Sequence, residues 1–381
     1  MQVPSYERRR LSLRHESLRR GSIVAPISKE VPWDIFDRLF LPLLYCHAVA
    51  IIFSAILGFF EIQFAFSTFG IFILLSIATV TLTLFYHNLK VSASGKAVLV
   101  TGCENPLAWY LCKKLDEIGF AVFAGFKNVV ENADAELLTE ECSARVRVVQ
   151  IDASSDSQMQ EAAKFIESNL PDGANGLWAL LHCDQWNAIG ELEWIPPQVL
   201  KKALDTNIVG TVRITQIFLP IVRRGKGRII YLSSAMSKIY NPVRGIQTSI
   251  CNAIESLALC LRSEMRRHGV QVIVVAAGEF ASGTAWLDNE ELCEQAKIMW
   301  KNMNDSLRFE IADEKYFEFT IRQLERYTKV TADLTPAIHT IIDAIQKAFP
   351  LPRYTPITRE EKLKTLIADY MPYAIYDVIY N

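Results

Sequence analysis

The chain has 381 residues, enough for one large domain or two smaller ones. Its 40 basic residues nearly balance its 42 acidic ones, so no global charge argues for a nucleic-acid partner. The eight cysteines, at 46, 103, 112, 142, 183, 251, 260 and 293, form no Cys-x-x-Cys pair and no zinc-like Cys/His spacing. They read as small buried hydrophobes in a reducing compartment, which leaves neither a metal site nor a disulfide framework.

Residues 1–32 form a basic tail, with Arg8, Arg9, Arg10, Arg14, Arg19 and Arg20 set against Glu7 and Glu16. "RRRLS" and "LRRGS" place Ser12 and Ser22 two residues after an arginine pair, the pattern basophilic kinases read. A tail that sets topology, with incidental serines, is the competing reading. Two uncharged runs follow, Phe40 to Phe60 and Phe64 to Tyr86, with Glu61 and Gln63 between them. Each exceeds the ~20 residues that cross a bilayer. The first starts too deep for a simple signal peptide. Residues 33–91 therefore read as a two-span membrane hairpin, or else as one span plus a buried core helix. Cations flank both outer ends of the hairpin, the tail arginines on one side and Lys90 and Lys96 on the other. The positive-inside rule then puts both termini in the cytosol.

From residue 92 the pattern becomes an α/β alternation. "AVLVTG" (97–102), "FAVFAGF" (120–126), "ARVRVVQID" (144–152), "GLWALLHC" (176–183), "GRIIYLSS" (227–234) and "VQVIVVAAG" (270–278) are short apolar strands. Helices are expected at 107–119, 156–169, 196–222 and 247–268. In the last of these, Ile254, Leu257, Ala258, Leu261 and Met265 make one apolar face. Alternation of this kind gives an α/β, doubly wound parallel sheet of Rossmann type over 92–284. From 285 to 381 the rhythm stops. Amphipathic helix dominates there, with "AFPLPRYTP" as a loop and "YMPYAIYDVIY" as an aromatic end.

"KAVLVTGCENPLAWYLCKKLDEIGFAVFAG" resembles the opening βαβ unit of the short-chain dehydrogenases/reductases. "GLWALL", "DTNIVGTVRITQIFLPIVRRGKGRIIYLSSAMS" and "CLRSEMRRHGVQV" are similar to one branch of that family. It holds the type 2 17β-hydroxysteroid dehydrogenase, the retinol dehydrogenases and mitochondrial 3-hydroxybutyrate dehydrogenase. The likeness runs over about 95–375. It implies NAD or NADP as hydride carrier, and residues 285–381 as a substrate lid and C-terminal extension. It also implies a homodimer paired through helices 196–222 and 247–268. The membrane segment fits the hydroxysteroid members. The resemblance points to the endoplasmic reticulum, or alternatively the mitochondrial outer membrane, with the folded domain on the cytosolic side.

The motifs depart from the family pattern. Its first turn, T-G-x-x-x-G-x-G, lets pyrophosphate approach the backbone at a helix N-terminus. Here Thr101 and Gly102 match, but Pro106 and Ala108 replace the second and third glycines. Glu104 in the turn is not unusual, since relatives carry an acid there. Pro106 lacks an N–H, although it also reads as an ordinary first-turn helix proline. Asp152 matches the family Asp that contacts adenine. The family's Asn-Asn-Ala-Gly is His182-Cys183-Asp184-Gln185. A nucleophile constellation there is unlike strand geometry, because neighbouring residues face opposite sides. Pro-Gly after the sixth strand is Ala277-Gly278. Lys127 suits either a cofactor 2′-phosphate or solvent. Of the catalytic set, Asn207 and Ser234 match, whereas Gln247 and Cys251 stand where the family has Tyr and Lys. An amide exchanges no proton near neutrality, and a neutral thiol does not replace the ammonium that lowers the Tyr pKa. Tyr240 and Arg244 mimic the Tyr–Lys spacing, but Tyr240 lies only six residues past Ser234.

Two functions follow. In one the chain is a membrane-anchored pseudoenzyme that binds a lipid or a partner protein, with dinucleotide binding weak or absent. In the other it is an NAD(P)-dependent oxidoreductase of a steroid, retinoid or other lipid alcohol. The aromatic residues Trp286, Trp300, Tyr316, Phe317, Phe319, Tyr354, Tyr370, Tyr373, Tyr376 and Tyr380 suit a hydrophobic small-molecule ligand, the bilayer or plain core packing.

Overall fold

Seven short, mostly buried runs pair side by side: β1 (Ala97–Val100), β2 (Ala121–Phe126), β3 (Val146–Gln150), β4 (Leu177–His182), β5 (Arg228–Ser234), β6 (Gln271–Ala277) and β7 (Arg353–Tyr354). In this computed structural model they form one sheet of order β3-β2-β1-β4-β5-β6-β7, parallel at every pairing. The structure describes residues 33–61, 67–130, 132–188, 190–240, 242–278, 289–303, 308, 316–322 and 334–380. The expectations for the tail arginines, Ser12, Ser22 and Trp286 lie outside them.

Contacts divide the chain into two units, Ala93–Ile345 with Pro352–Asn381, and Pro26–Ser92 with Gln346–Leu351. In the first, helices cover both faces of the sheet: α1 (Pro106–Ile118), α2 (Ala133–Glu141), α3 (Asp156–Ser168), α4 (Pro197–Leu204), α5 (Thr211–Arg224) and α6 (Gly245–Met265). Leu99, Phe123, Leu180, Ile229 and Val272 of the sheet share one core with Met159 and Ile166 of α3, Phe218 of α5, and Ile254, Ala258, Leu261 and Met265 of α6. The predicted apolar face of α6 is thus the face that packs, with Leu257 at its margin. Strand order reverses between β1 and β4, and at such a switch point a crevice opens beyond the carboxyl ends of the strands.

Three features depart from expectation. The helix over 196–222 is two helices joined by a π-helical turn, Asp205–Gly210, whose extra residue per turn carries Asn207 inward. An unpredicted helix, α2, buries only Ala135 and Leu138. The loop "AFPLPRYTP" contains β7, whose Arg353 and Tyr354 pair with Val274 and Val275.

C-terminal to β6 lie α7 (Asn289–Asn302), α8 (Thr335–Gln346), α9 (Arg359–Tyr370) and α10 (Tyr373–Tyr380). Leu292, Met299, Met303, Phe317 and Ile321 close a small core over Trp194, with Trp300 against it. Packing therefore accounts for Trp300 and Phe317, whereas Phe319 and Tyr370 are exposed.

The second unit holds α11 (Trp33–Phe59) and α12 (Thr68–Asn88). They lie side by side, with Cys46 Sγ 3.1 Å from Thr79 Oγ1 and the His47 and Phe72 rings 5.2 Å apart. Leu39–Phe59 and Thr68–Asn88 are each long and apolar enough to cross a membrane. Almost none of either segment is buried, unlike a core helix.

Candidate functional site

The turn after β1 is built on Gly102, at φ +68°. A Cβ there would lie 2.7 Å from the backbone nitrogen of Asp184 and 2.8 Å from its Oδ1. The Asp184 carboxylate therefore crosses the mouth of the turn, held by the Thr101 hydroxyl.

A phosphate at this turn needs free backbone N–H groups. From Cys103 to Leu107 each is accounted for. Cys103 N–H donates to Gly125 O at 2.9 Å, and Asn105 N–H to Gly102 O at 2.9 Å. Leu107 N–H donates to the Asn105 side chain, the N-cap of α1, at 3.0 Å. Pro106 has none. Glu104 N–H turns onto its own carboxylate, which also accepts from the backbone of Lys127 and Asn128. Burial still raises the Glu104 carboxyl above its ordinary value, against those three donors and with Asp134 adding to it. Ala108 is fully buried in α1.

Beyond the turn lies a cleft of about 690 Å³, lined among others by Glu104, Asn105, Lys127, Asp152, Asp184, Trp186 and Lys202. Asp152 accepts from Ser154 N–H at 2.9 Å and from its hydroxyl at 2.7 Å. Burial alone raises its carboxyl. The Ser154 bonds, with Lys127 and Arg213 nearby, outweigh burial and hold it below the usual value. Lys202 Nζ sits 4.1 Å over the Trp186 ring.

The family's catalytic positions converge at the carboxyl end of β5. Asn207 Nδ2 donates to Trp186 O (2.7 Å) and Ala203 O (2.8 Å), and its Oδ1 accepts from Trp186 N–H (3.0 Å). It braces the segment after β4. Ser234 Oγ accepts from Met236 N–H at 3.2 Å, capping a 3₁₀ turn, and Ser233 Oγ donates to Glu255 at 2.9 Å. Gln247 Nε2 donates to Cys251 Sγ at 3.6 Å. Burial pushes the Cys251 thiol up to about 11, against the Ser234 and Ser233 hydrogen bonds. It is neutral at physiological pH. Gln247, Cys251, Asn207, His182, Asp184, Gln185 and Tyr231 line a cavity of only about 20 Å³, room for one water-sized occupant. Ser234 is not among its lining residues.

His182 belongs to a buried network rather than to a nucleophile. Its Nε2 lies 3.1 Å from Thr215 Oγ1, its ring stacks on Tyr231 at 4.8 Å, and Thr215 Oγ1 is 2.8 Å from Tyr231 OH. Burial drives His182 down to about 3 and Tyr231 up to about 12. Cys183 is buried, and burial raises its thiol well above the ordinary value, with Asp184 and Cys112 nearby adding to it. Tyr240 is half exposed, packs on Tyr376 at 5.6 Å and lines neither cavity.

Two contributors escape sequence reasoning. Glu104 is visible as an acid but not as a ligand of three amides. Asp184 is remote from Gly102 in the chain. A hint lies in Glu-Asn-Pro, an N-cap signature that satisfies its own helix start. Asp184 also sets a pH dependence. Burial raises its carboxyl to about 6, with the nearby Glu104 charge adding to it and the Thr101 hydroxyl opposing. The folded chain therefore binds this proton more tightly than the unfolded chain, whose reference value is 3.8. Stability from this group falls as pH rises from about 4 to about 6, and stays low above. Asp184 is partly open to solvent, so the effect is discounted to ~1 kcal/mol. Asp184→Asn should raise the melting temperature at pH 7.5 by about 2–4 °C, and the gain should vanish by about pH 4. A variant no more stable than its parent at pH 7.5 would refute this.

A short chain dehydrogenase family model matches residues 96–292. Over 291 residues the chain is 34% identical to D-beta-hydroxybutyrate dehydrogenase, mitochondrial, of Mus musculus, covering 76% of this chain and 84% of that protein. It is 30% identical over 293 residues to 17-beta-hydroxysteroid dehydrogenase type 2 of Homo sapiens, covering 74% and 72%. A solved short chain dehydrogenase from Burkholderia cenocepacia J2315, in complex with NADP, superimposes with a TM-score of 0.54 at 17% identity. That match covers 76% of this chain and 100% of that one, a likeness of fold.

Proposed function

The chain belongs to the short chain dehydrogenase family, and from that premise we propose that it is a membrane-anchored pseudoenzyme that acts by binding rather than by hydride transfer. One observation carries this. The proton-relay positions hold an amide, Gln247, and a neutral thiol, Cys251, and they line a cavity of about 20 Å³. A nicotinamide ring is far larger than that. The cofactor's other half fits no better. The turn's amides are engaged by the chain itself, and Glu104 and Asp184 set negative charge where a pyrophosphate would lie. The residues present do not fit a dinucleotide. Titration calorimetry of the full-length chain in detergent micelles with NAD(H) and NADP(H) should give no binding at sub-millimolar concentration. Saturable heat with either would overturn the reading.

The two apolar helices support the anchor, as a hairpin in the endoplasmic reticulum membrane with both chain ends cytosolic. Protease added to intact microsomes should then remove tags from both ends. Protection of the C-terminal tag alone would exclude the hairpin.

The open cleft and the retained Asp152 favour a second reading, a slow oxidoreductase of a lipid alcohol. It lacks a proton donor. Tyr240 is turned to Tyr376, and Tyr231 has only a hydroxyl and a neutral imidazole beside it. Oxidation of a lipid alcohol that Ser234→Ala abolishes would decide for this reading.

A further inference from the structure

The cavity at the ends of β4 and β5 has an uneven hydrogen-bond balance. Thr215 spends its hydroxyl hydrogen on Thr211 O at 2.8 Å. Its lone pairs therefore face His182 Nε2 and Tyr231 OH, which must donate to it. His182 accordingly carries its hydrogen on Nε2, and Nδ1 is a bare acceptor. That atom is buried and has no protein partner, on a residue only 4% exposed. Gln185 Nε2 donates to Leu232 O at 3.0 Å, and Gln247 Nε2 to Cys251 Sγ. Both amides are thereby oriented, and Gln185 Oε1 and Gln247 Oε1 are likewise buried acceptors without a protein partner. All three residues line the one small cavity.

Three orphan acceptors need three donor hydrogens. A water supplies two, whereas a primary ammonium supplies three and carries a charge. Asp184 lines this cavity and the larger cleft alike. Among the described residues no Lys or Arg forms a salt bridge with it, and Lys127 acts on it only at longer range. We propose that this pocket binds the ammonium group of a small primary amine, with His182, Gln185 and Gln247 accepting its hydrogens and Asp184 balancing its charge. The inference rests on the reading that the dinucleotide has lost the site. The rest of the ligand lies in the cleft, whose wall carries the side-chain amides of Asn105, Asn132, Gln150 and Gln158, the carboxylates of Glu104 and Asp152, and the ammonium groups of Lys127 and Lys202. A wall of amides with both signs of charge suits a hydroxylated body, the class of amino alcohols and amino sugars.

The test uses the full-length chain in detergent micelles at pH 7.5, with thermal unfolding as readout. The probe is 2-aminoethanol, protonated at that pH. Choline carries the same charge and hydroxyl but no N–H, and sodium chloride matches ionic strength. The expected result is a saturable rise of about 3 °C or more with 2-aminoethanol, the size that ligand linkage gives once concentration exceeds the Kd roughly tenfold. Choline and salt should give none. Asp184→Asn and Gln247→Met should each abolish the rise while unfolding cooperatively. If Gln247→Met does not fold, Asp184→Asn decides alone. An equal rise with choline or salt, or a rise that survives in Asp184→Asn, overturns the site. Calorimetry with NADH on the same sample separates the two readings. No response to either compound removes the amine site alone, whereas dinucleotide binding, with or without an amine response, removes the pseudoenzyme reading and the amine site that rests on it.

Discussion

Restoring the family's Tyr and Lys by Gln247→Tyr with Cys251→Lys should leave NAD(P)-dependent turnover of steroid, retinoid and hydroxybutyrate substrates undetectable. General acid–base catalysis is worth ~10²–10⁴ in rate, but on the proposed reading the double variant rebuilds it beside a cleft whose residues do not fit the cofactor. At an effective dielectric of ~20, a carboxylate about 5 Å from a phosphate costs ~3 kcal/mol. Glu104 and Asp184 would each act on the pyrophosphate in that way, and the engaged amides of 103–107 would offer nothing in return. Adding Pro106→Gly, Ala108→Gly, His182→Asn, Cys183→Asn, Asp184→Ala and Gln185→Gly should restore dinucleotide binding first and turnover second. Calorimetry reads the first gain and NADH absorbance the second. Turnover by the Tyr/Lys double variant alone would show that the cofactor cleft was intact throughout.

The order of that rescue reflects how the site is divided. Asn207 and Ser234 survive, but in structural work: one braces the segment after β4, the other caps a 3₁₀ turn. Their presence is therefore no evidence of catalysis. The Cys251 thiol is neutral in its buried setting, with Gln247 donating to it. The larger Tyr and Lys side chains of a reversion would have to be fitted beside a cavity of only about 20 Å³.

Six strands were legible because each is an apolar run bounded by polar or Gly-containing turns. β7 was not, since two residues after Pro352 carry no period of their own and pair only because β6 offers an open edge. α2 fully buries only Ala135 and Leu138 and spans nine residues, too little for a periodic signal. The π turn at Asp205–Gly210 lies inside a continuous helical pattern, and only the tertiary demand on Asn207 distinguishes it. At the site the substitutions themselves were plain: Pro106, Ala108, Gln247 and Cys251 stand at fixed offsets from Gly102 and Ser234. Where the remaining side chains go was not. Glu104 gathering three amides, Asp184 crossing Gly102 and His182 joining Thr215 and Tyr231 are contacts between distant segments, and no local pattern encodes them.

Arg228→Ala should cost ~3–5 kcal/mol of stability and leave the site untouched. Arg228 opens β5, at the end of the strand opposite Ser234, and is only 2% exposed. Its Nη1 donates to Ala344 O at 2.6 Å, and its guanidinium lies 4.3 Å from the centre of the Trp178 ring. Trp178 Nε1 donates to Ile345 O at 2.9 Å. Ala344 and Ile345 sit in the last turn of α8, where carbonyls have no helical partner and the helix dipole is negative. A buried cation and an indole N–H thus complete that helix end. Burial lowers the Arg228 value only to about 10, so the charge persists at neutral pH. Truncation to Ala strands a buried carbonyl, removes a cation–π contact and leaves a cavity. A melting temperature about 8–15 °C lower is expected for a unit of this size. Arg228→Lys keeps the charge but loses the planar stack, and should lose about half as much. The cleft lies at the other end of the sheet, so the response of Arg228→Ala to 2-aminoethanol below its melting point should equal the parent's. A change of less than about 1 °C in melting temperature would show that α8 is held by its apolar face alone.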